Sequence, residues 1–217
     1  MIELRNIEKS YPTKSGRRVI LDDINGTFER GHSYGILGLN GAGKSTLLRI
    51  ISGAEQPTLG DIRKDVSISW PLGFTGSFNG SLSGIENLRF VCRIYDADID
   101  EVTDFVTEFA ELGAAIDEPV RTYSTGMRSR LAFGLSMAIN FQVYVIDESL
   151  AVGDYTFQDK CHREFEARRE QADILLTSHA IETIKVYCDR AGVLHKGRFT
   201  MFDSVDEAAE FYERVNS

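Results

Sequence analysis

Two stretches near the start of the chain, residues 2–8 and 19–28, carry strand-like patterning and read as antiparallel strands. The turn-rich run Pro12-Thr13-Lys14-Ser15-Gly16 joins them. A short apolar strand follows, Ser33-Tyr34-Gly35-Ile36-Leu37, and runs into a glycine-rich loop. Thr46-Leu47-Leu48-Arg49-Ile50-Ile51 then reads as a helix, with Gly53 placed to stop it in the left-handed conformation. Residues 61–70 are β-like again. Between Pro71 and Gly84 the pattern changes, with Gly73, Gly76, Gly80 and Gly84 interleaved with Phe74, Phe78 and Leu82. Beyond it, residues 85–95, 99–112 and 128–139 read as helices. Val143-Tyr144-Val145-Ile146 returns to an apolar strand, and residues 174–177 and 191–194 are later strands. A turn at His195-Lys196-Gly197-Arg198 leads to a last short strand, 199–202, and a terminal helix, 208–215, whose start is signalled by Asp203-Ser204-Val205-Asp206. Alternating strands and helices predict an α/β core with a mainly parallel sheet.

The loop between the third strand and the first helix has the most specific chemistry. Gly38-Leu39-Asn40-Gly41-Ala42-Gly43-Lys44-Ser45 has the spacing G-x-x-x-x-G-K-[ST] of the phosphate-binding P-loop, in the strand–loop–helix context that motif requires. Glycines let the backbone close around an anion with its N–H groups inward. The following helix places its positive dipole end at the phosphates. Lys44 can reach the β- and γ-phosphates, and the Ser45 hydroxyl can sit on Mg²⁺.

The apolar strand 143–146 ends in Asp147-Glu148. Burying unpaired charge is costly, so two acids at the end of a central strand call for a reason. In a P-loop protein the first helps hold Mg²⁺ and the second is placed to activate the attacking water. About twenty residues upstream, Tyr123-Ser124-Thr125-Gly126-Met127 precedes a helix and offers a second phosphate cradle. One chain needs one P-loop, so a second cradle suggests two chains sandwiching the nucleotide.

Here the chain resembles the ATP-binding subunits of ABC transporters, over essentially its whole length. The resemblance rests on the P-loop, on Ser124-Thr125-Gly126 as signature loop and on residues 143–148 as Walker B. It extends to Ala151-Val152-Gly153-Asp154 as D-loop and to Thr177-Ser178-His179 with a switch histidine. It implies a P-loop NTPase fold, the ABC ATPase nucleotide-binding domain. That domain has an α/β core with an antiparallel β subdomain (1–71 and 140–217) and an inserted helical subdomain (72–139). It implies an ATPase with ATP and Mg²⁺ as ligands. Gly38, Asn40, Gly41, Ala42, Gly43, Lys44, Ser45 and Thr46 would cradle the nucleotide, and Ser45 and Asp147 would hold the metal. Glu148 would be the general base, His179 would bond the γ-phosphate, and Ser124, Thr125, Gly126 and Asp154 would complete the site. The family places an adenine-stacking aromatic near the N-terminus, where Tyr11 stands; the other reading of Tyr11 is a turn tyrosine packed on the sheet.

Departures narrow the resemblance. The signature begins Tyr-Ser-Thr-Gly-Met instead of Leu-Ser-Gly-Gly-Gln, no glutamine occurs between Gln56 and Gln142, and Ser149-Leu150 follows the acid pair. The run from Tyr123 to Ala138, with Ser69-Trp70-Pro71-Leu72, is similar to the capsular polysaccharide exporter ATPases. That implies an ATPase energising polysaccharide export through a separate permease, as a head-to-tail homodimer on the cytoplasmic face of the inner membrane. The alternatives are export of another polymer, O-antigen or teichoic acid, or a soluble ABC ATPase outside transport. For the missing glutamine, a backbone carbonyl in residues 72–78 or Ser77 is a substitute. The Gly/Phe-rich segment is either a docking groove for a permease helix or a loop whose phenylalanines fill the local core.

Composition sets outer limits. With 217 residues, 42% hydrophobic and 26% charged, the chain can build one large domain or a domain with a subdomain. A formal net charge of -9 argues against a nucleic-acid partner. No apolar run approaches the roughly 20 residues needed to cross a bilayer, and Met1-Ile2-Glu3-Leu4-Arg5-Asn6 is no signal peptide. Cys92, Cys161 and Cys188 are widely spaced and read as free thiols of a reduced cytosolic protein.

Overall fold

The computed structural model describes residues 1–14, 16–72, 76, 78–147 and 155–216. Contacts divide the chain into two compact units: 1–71, 142–149 and 172–217 in the first, 72–141 and 150–171 in the second. The expected insertion at 72–139 is therefore joined by a segment, 150–171, that the sequence assigned to the core. The cause is a helix of that segment, described below, which packs within the second unit.

The first unit contains two sheets. Strands β1 (Ile2–Thr13) and β2 (Gly16–Phe28) form an antiparallel hairpin, with Tyr11 opposite Arg18, and β4 (Leu59–Lys64) pairs antiparallel on the other side of β1. The hairpin's register shifts near Asn6 and Asp23, both left-handed, whose side chains bond each other (Asn6 Nδ2 to Asp23 Oδ1, 2.8 Å). The second sheet runs β5 (Val143–Asp147), β6 (Asp173–Ser178), β3 (Tyr34–Leu37), β7 (Arg190–His195), β8 (Arg198–Phe202). Its first four strands are parallel; β8 returns antiparallel through a tight turn at Lys196 and Gly197, both at positive φ.

Residues 61–70 form no continuous strand. β4 ends at Lys64, and the chain then crosses to the edge of β5, where Ile68 bridges Val143 and Ser69 Oγ accepts the Val145 amide at 2.9 Å. The core of this unit is built from Ile2, Leu4, Ile7, Leu21, Ile24 and Phe28 of the hairpin, from helix α1 (Lys44–Ser52) and from the apolar runs of the parallel sheet. Helices α6 (Ile181–Tyr187) and α7 (Val205–Asn216) pack on that sheet.

The second unit is helical: α2 (Gly84–Tyr95), α3 (Ile99–Ala110), α4 (Thr125–Ala138) and α5 (Tyr155–Arg169). Ser83 and Glu86 form a reciprocal capping box on α2. Phe109 stacks on Phe133 of α4 and meets Phe157 of α5 edge-on, with ring centroids 5.9 and 5.4 Å apart. Lys160 donates to the Phe109 carbonyl that ends α3 and pairs with Glu111 at 2.8 Å. These contacts attach α5 to this unit.

Candidate functional site

Strand β3 is buried along its whole length, sandwiched between parallel neighbours β6 and β7. Its carboxyl end therefore opens where the next backbone groups have no sheet partner, and the P-loop begins there. Gly43 is the N-cap of α1 at φ 107°, and Gly41 has φ 81°. A side chain on Gly43 would also stand 3.0 Å from Ile20. A Cβ on Gly38 would come within 2.8 Å of the Leu194 carbonyl, so the loop must approach β7 bare. By helix geometry the first-turn amides of α1 have no partner inside the helix and face the loop's concavity.

Lys44 is only 5% exposed. Its ammonium donates to the Gly38 carbonyl at 2.7 Å and to the Leu39 carbonyl at 3.3 Å, which turns the charge back across the loop. An open cleft lies over this loop. Asn40, Gly41, Gly43, Lys44, Ser45 and Thr46 line it from the loop and helix, and Tyr11 lines it from the hairpin. Sequence reasoning did not find three further wall residues, Arg18, Ile20 and Arg49. Arg49 was accessible to it, being one helical turn beyond Ser45 and Thr46; Arg18 emerges only from its register opposite Tyr11. Gly38 and Ala42 shape the loop without lining the cleft. Lys44, Arg18 and Arg49 make this cleft locally cationic on a chain of net charge -9.

Tyr11 sits in a side-chain network. Its hydroxyl donates to Glu55 at 2.5 Å. Glu55 also pairs with Lys9 at 2.9 Å and with Arg49 at 3.1 Å, and Arg49 reaches the Thr46 hydroxyl at 3.3 Å. Partial burial works against the Glu55 charge, but the bonds from Tyr11, Lys9 and Arg49 outweigh it and bring the pKa down to about 2.

At the far edge of the parallel strands, Asp147 ends β5 half-buried, opposite Thr177 of β6. The fully buried Thr177 hydroxyl donates to Asp147 Oδ1 at 2.8 Å. β6 pairs Ser178 with Leu37, so His179 leaves its strand in the same register as Gly38 leaves β3, and it is exposed. The donors expected to hold Mg²⁺, the Ser45 hydroxyl and the Asp147 carboxylate, are hard oxygens that suit that ion. Glu148 and Asp154 lie outside the described residues, as do Phe74 and Ser77.

Ser124, Thr125 and Gly126 belong to the second unit. They do not precede the helix, as the sequence suggested, but begin it: Ser124 is the N-cap of α4, its Oγ accepting the Met127 amide at 3.2 Å, and Thr125 and Gly126 form the first turn. Among the described residues, a Cβ on Gly126 would meet the Ser124 hydroxyl at 3.8 Å, an ordinary contact.

The ABC transporter family profile matches residues 21–151. The capsule polysaccharide export ATP-binding protein CtrD of Neisseria meningitidis serogroup B is 52% identical over 99% of this chain and 100% of its own length. The ATP-binding protein BexA of Haemophilus influenzae is 50% identical over 99% of each chain. The teichoic acids export ATP-binding protein TagH of Staphylococcus saprophyticus is more distant, 36% identical over 89% of this chain and 75% of its own. Among solved structures, the ATP-binding cassette MJ0796, in a dimeric post-hydrolysis state bound to ADP and Pi, superposes with a TM-score of 0.71. It is 19% identical and covers 93% of this chain and 98% of its own. The chain belongs to the ABC transporter family, and its near relatives within it are the ATP-binding proteins of capsule polysaccharide export.

Proposed function

We propose that this chain is the ATP-hydrolysing subunit of a transporter that exports a capsule polysaccharide through a separate membrane permease. The carrying observation is the P-loop cleft, on a chain similar along nearly all its length to a capsule export ATP-binding protein. The lower identity to a teichoic acid exporter favours the capsule over teichoic acid. None of the described helices is long and apolar enough to cross a membrane, in keeping with a permease on separate subunits.

ATP lies in the cleft with its triphosphate along the amides of residues 38–46 and its base on Tyr11. Lys44 exchanges the Gly38 and Leu39 carbonyls for phosphate oxygens. Ser45 and Asp147 would hold Mg²⁺, which would supply positive charge to the phosphates. Glu148 takes a proton from the attacking water, the water oxygen bonds to the γ-phosphorus, and the bond to the ADP oxygen breaks. His179 donates to the γ-phosphate. Ser124, Thr125, Gly126 and Asp154 act from a second copy, arranged head to tail, so that each nucleotide lies between two chains. Hydrolysis removes the bridging phosphate and the pair opens. That opening drives the permease from the cytoplasmic face of the membrane, through the nucleotide's preference for the closed state.

The test is Glu148→Gln. Hydrolysis should cease, and ATP should hold the variant as a dimer in light scattering. Turnover at the wild-type rate would refute the assignment of the base.

A further inference from the structure

Among the polar networks of the described residues, the one around Glu55 joins the two ends of the cleft. Glu55 lies just beyond α1, 44 residues from Tyr11 and 46 from Lys9, so only the fold brings the three together. A phenol held by a carboxylate at 2.5 Å has its oxygen, and with it the long axis of the ring, fixed in place, because a charged acceptor is about twice as strong as a neutral one. Lys9 stands over the same ring, 5.2 Å from its centroid, and is not a cleft residue. That ring face is covered, which leaves the ring to receive a flat ligand from the cleft side. The other branch of the network runs from Glu55 through Arg49 to Thr46, in the first turn of the phosphate-binding helix.

We propose that Glu55 is a positioning residue for the nucleotide base: it holds the Tyr11 ring, through the phenol, at a set place relative to the Thr46 end of the phosphate cradle. This rests on the reading of the cleft as an ATP site. The Tyr11 hydroxyl is committed to Glu55, so the base meets a π-face and not a hydrogen-bonding group from this residue. Orientation is what such a platform contributes, since a ring free to rotate loses entropy each time a base stacks on it.

The experiment measures affinity for ATP and for inorganic tripolyphosphate in the full chain, for the wild type, Tyr11→Phe, Glu55→Gln and the double variant. Tripolyphosphate has the phosphates and no base. Each single change should weaken ATP binding by about five- to tenfold, the net worth of one ordinary hydrogen bond. Tyr11→Phe should leave tripolyphosphate binding unaltered, and Glu55→Gln, which frees Arg49 in the cleft wall, should not weaken it. The double variant should lose less than the two single changes multiplied together, because both changes weaken the same charge-assisted bond. Equal losses for both ligands would reduce Glu55 to a support of the helix and overturn the proposal, as would unchanged ATP affinity or simple additivity. A wild-type chain that binds neither ligand would instead overturn the reading of the cleft.

Discussion

Thr177 donates its hydroxyl proton to Asp147 Oδ1 across 2.8 Å, from a fully buried position in the neighbouring strand. The register Asp147↔Thr177 fixes this pair, so the orientation of the acid is set by the sheet and not by its own rotamer preference. If Asp147 holds the metal, Thr177→Val should lower the apparent Mg²⁺ affinity in ATP hydrolysis by about 10- to 100-fold. Excess Mg²⁺ should recover the rate, and Thr177→Ser should resemble the wild type. A Mg²⁺ titration checks this; an unshifted midpoint for the valine variant would dissociate Thr177 from the metal site.

Gly35 lies in β3 directly beneath α6. A Cβ there would come within 2.2 Å of Ile184 Cγ2 and 3.2 Å of its Cβ, too close for a rotamer change to relieve. Gly35→Ala should therefore cost about 1–3 kcal/mol of stability in chemical denaturation, and Ile184→Ala in the same chain should recover part of it. Costs that simply add would mean that α6 is not seated on β3 as described.

The depressed pKa of Glu55 makes a prediction about acid. Its ordinary value is 4.5 and its folded value about 2, so its charge stabilises the fold fully above about pH 4.5. That contribution fades as the pH falls through 2. Glu55→Gln should be less stable than the wild type at neutral pH, and the gap should close between pH 4.5 and 2 when unfolding is followed by denaturant titration. A gap that stays constant over that range would mean the ion pairs of Glu55 contribute nothing.

Burial in the helical unit pushes the Cys161 thiol up to about 12, against the opposing pull of Arg130 and Lys160. Iodoacetamide at pH 8 should leave Cys161 unmodified in the native chain and alkylate it in denaturant, as read by peptide mass spectrometry. Rapid native labelling would contradict the packing of α5.

The hairpin, the P-loop and the terminal helix were legible because each has a local signal: two strand-like runs joined by turn residues, fixed glycine spacing, and an acidic start. Helix α5 was not. Of its fifteen residues only Phe157, Cys161 and Phe165 are buried, among charged neighbours on every side, so the apolar stripe is one residue wide. The opposite problem moved the start of α4. Its positions 131–137 are all buried, which removes amphipathic contrast, and its cap at Ser124 was the better guide. The Glu55 network had no local signature at all, since its members are brought together by β1 pairing past the end of α1.

Hydrolysis of ATP by the purified chain and by Lys44→Ala, followed as phosphate release, is the most direct test of the central claim that the cleft over residues 38–46 is the ATPase site. The wild type should release phosphate in a Mg²⁺-dependent manner, and removing the ammonium that now rests on the Gly38 and Leu39 carbonyls should reduce the rate by at least about a hundredfold. An alanine variant that binds and hydrolyses ATP as the wild type does would contradict the account.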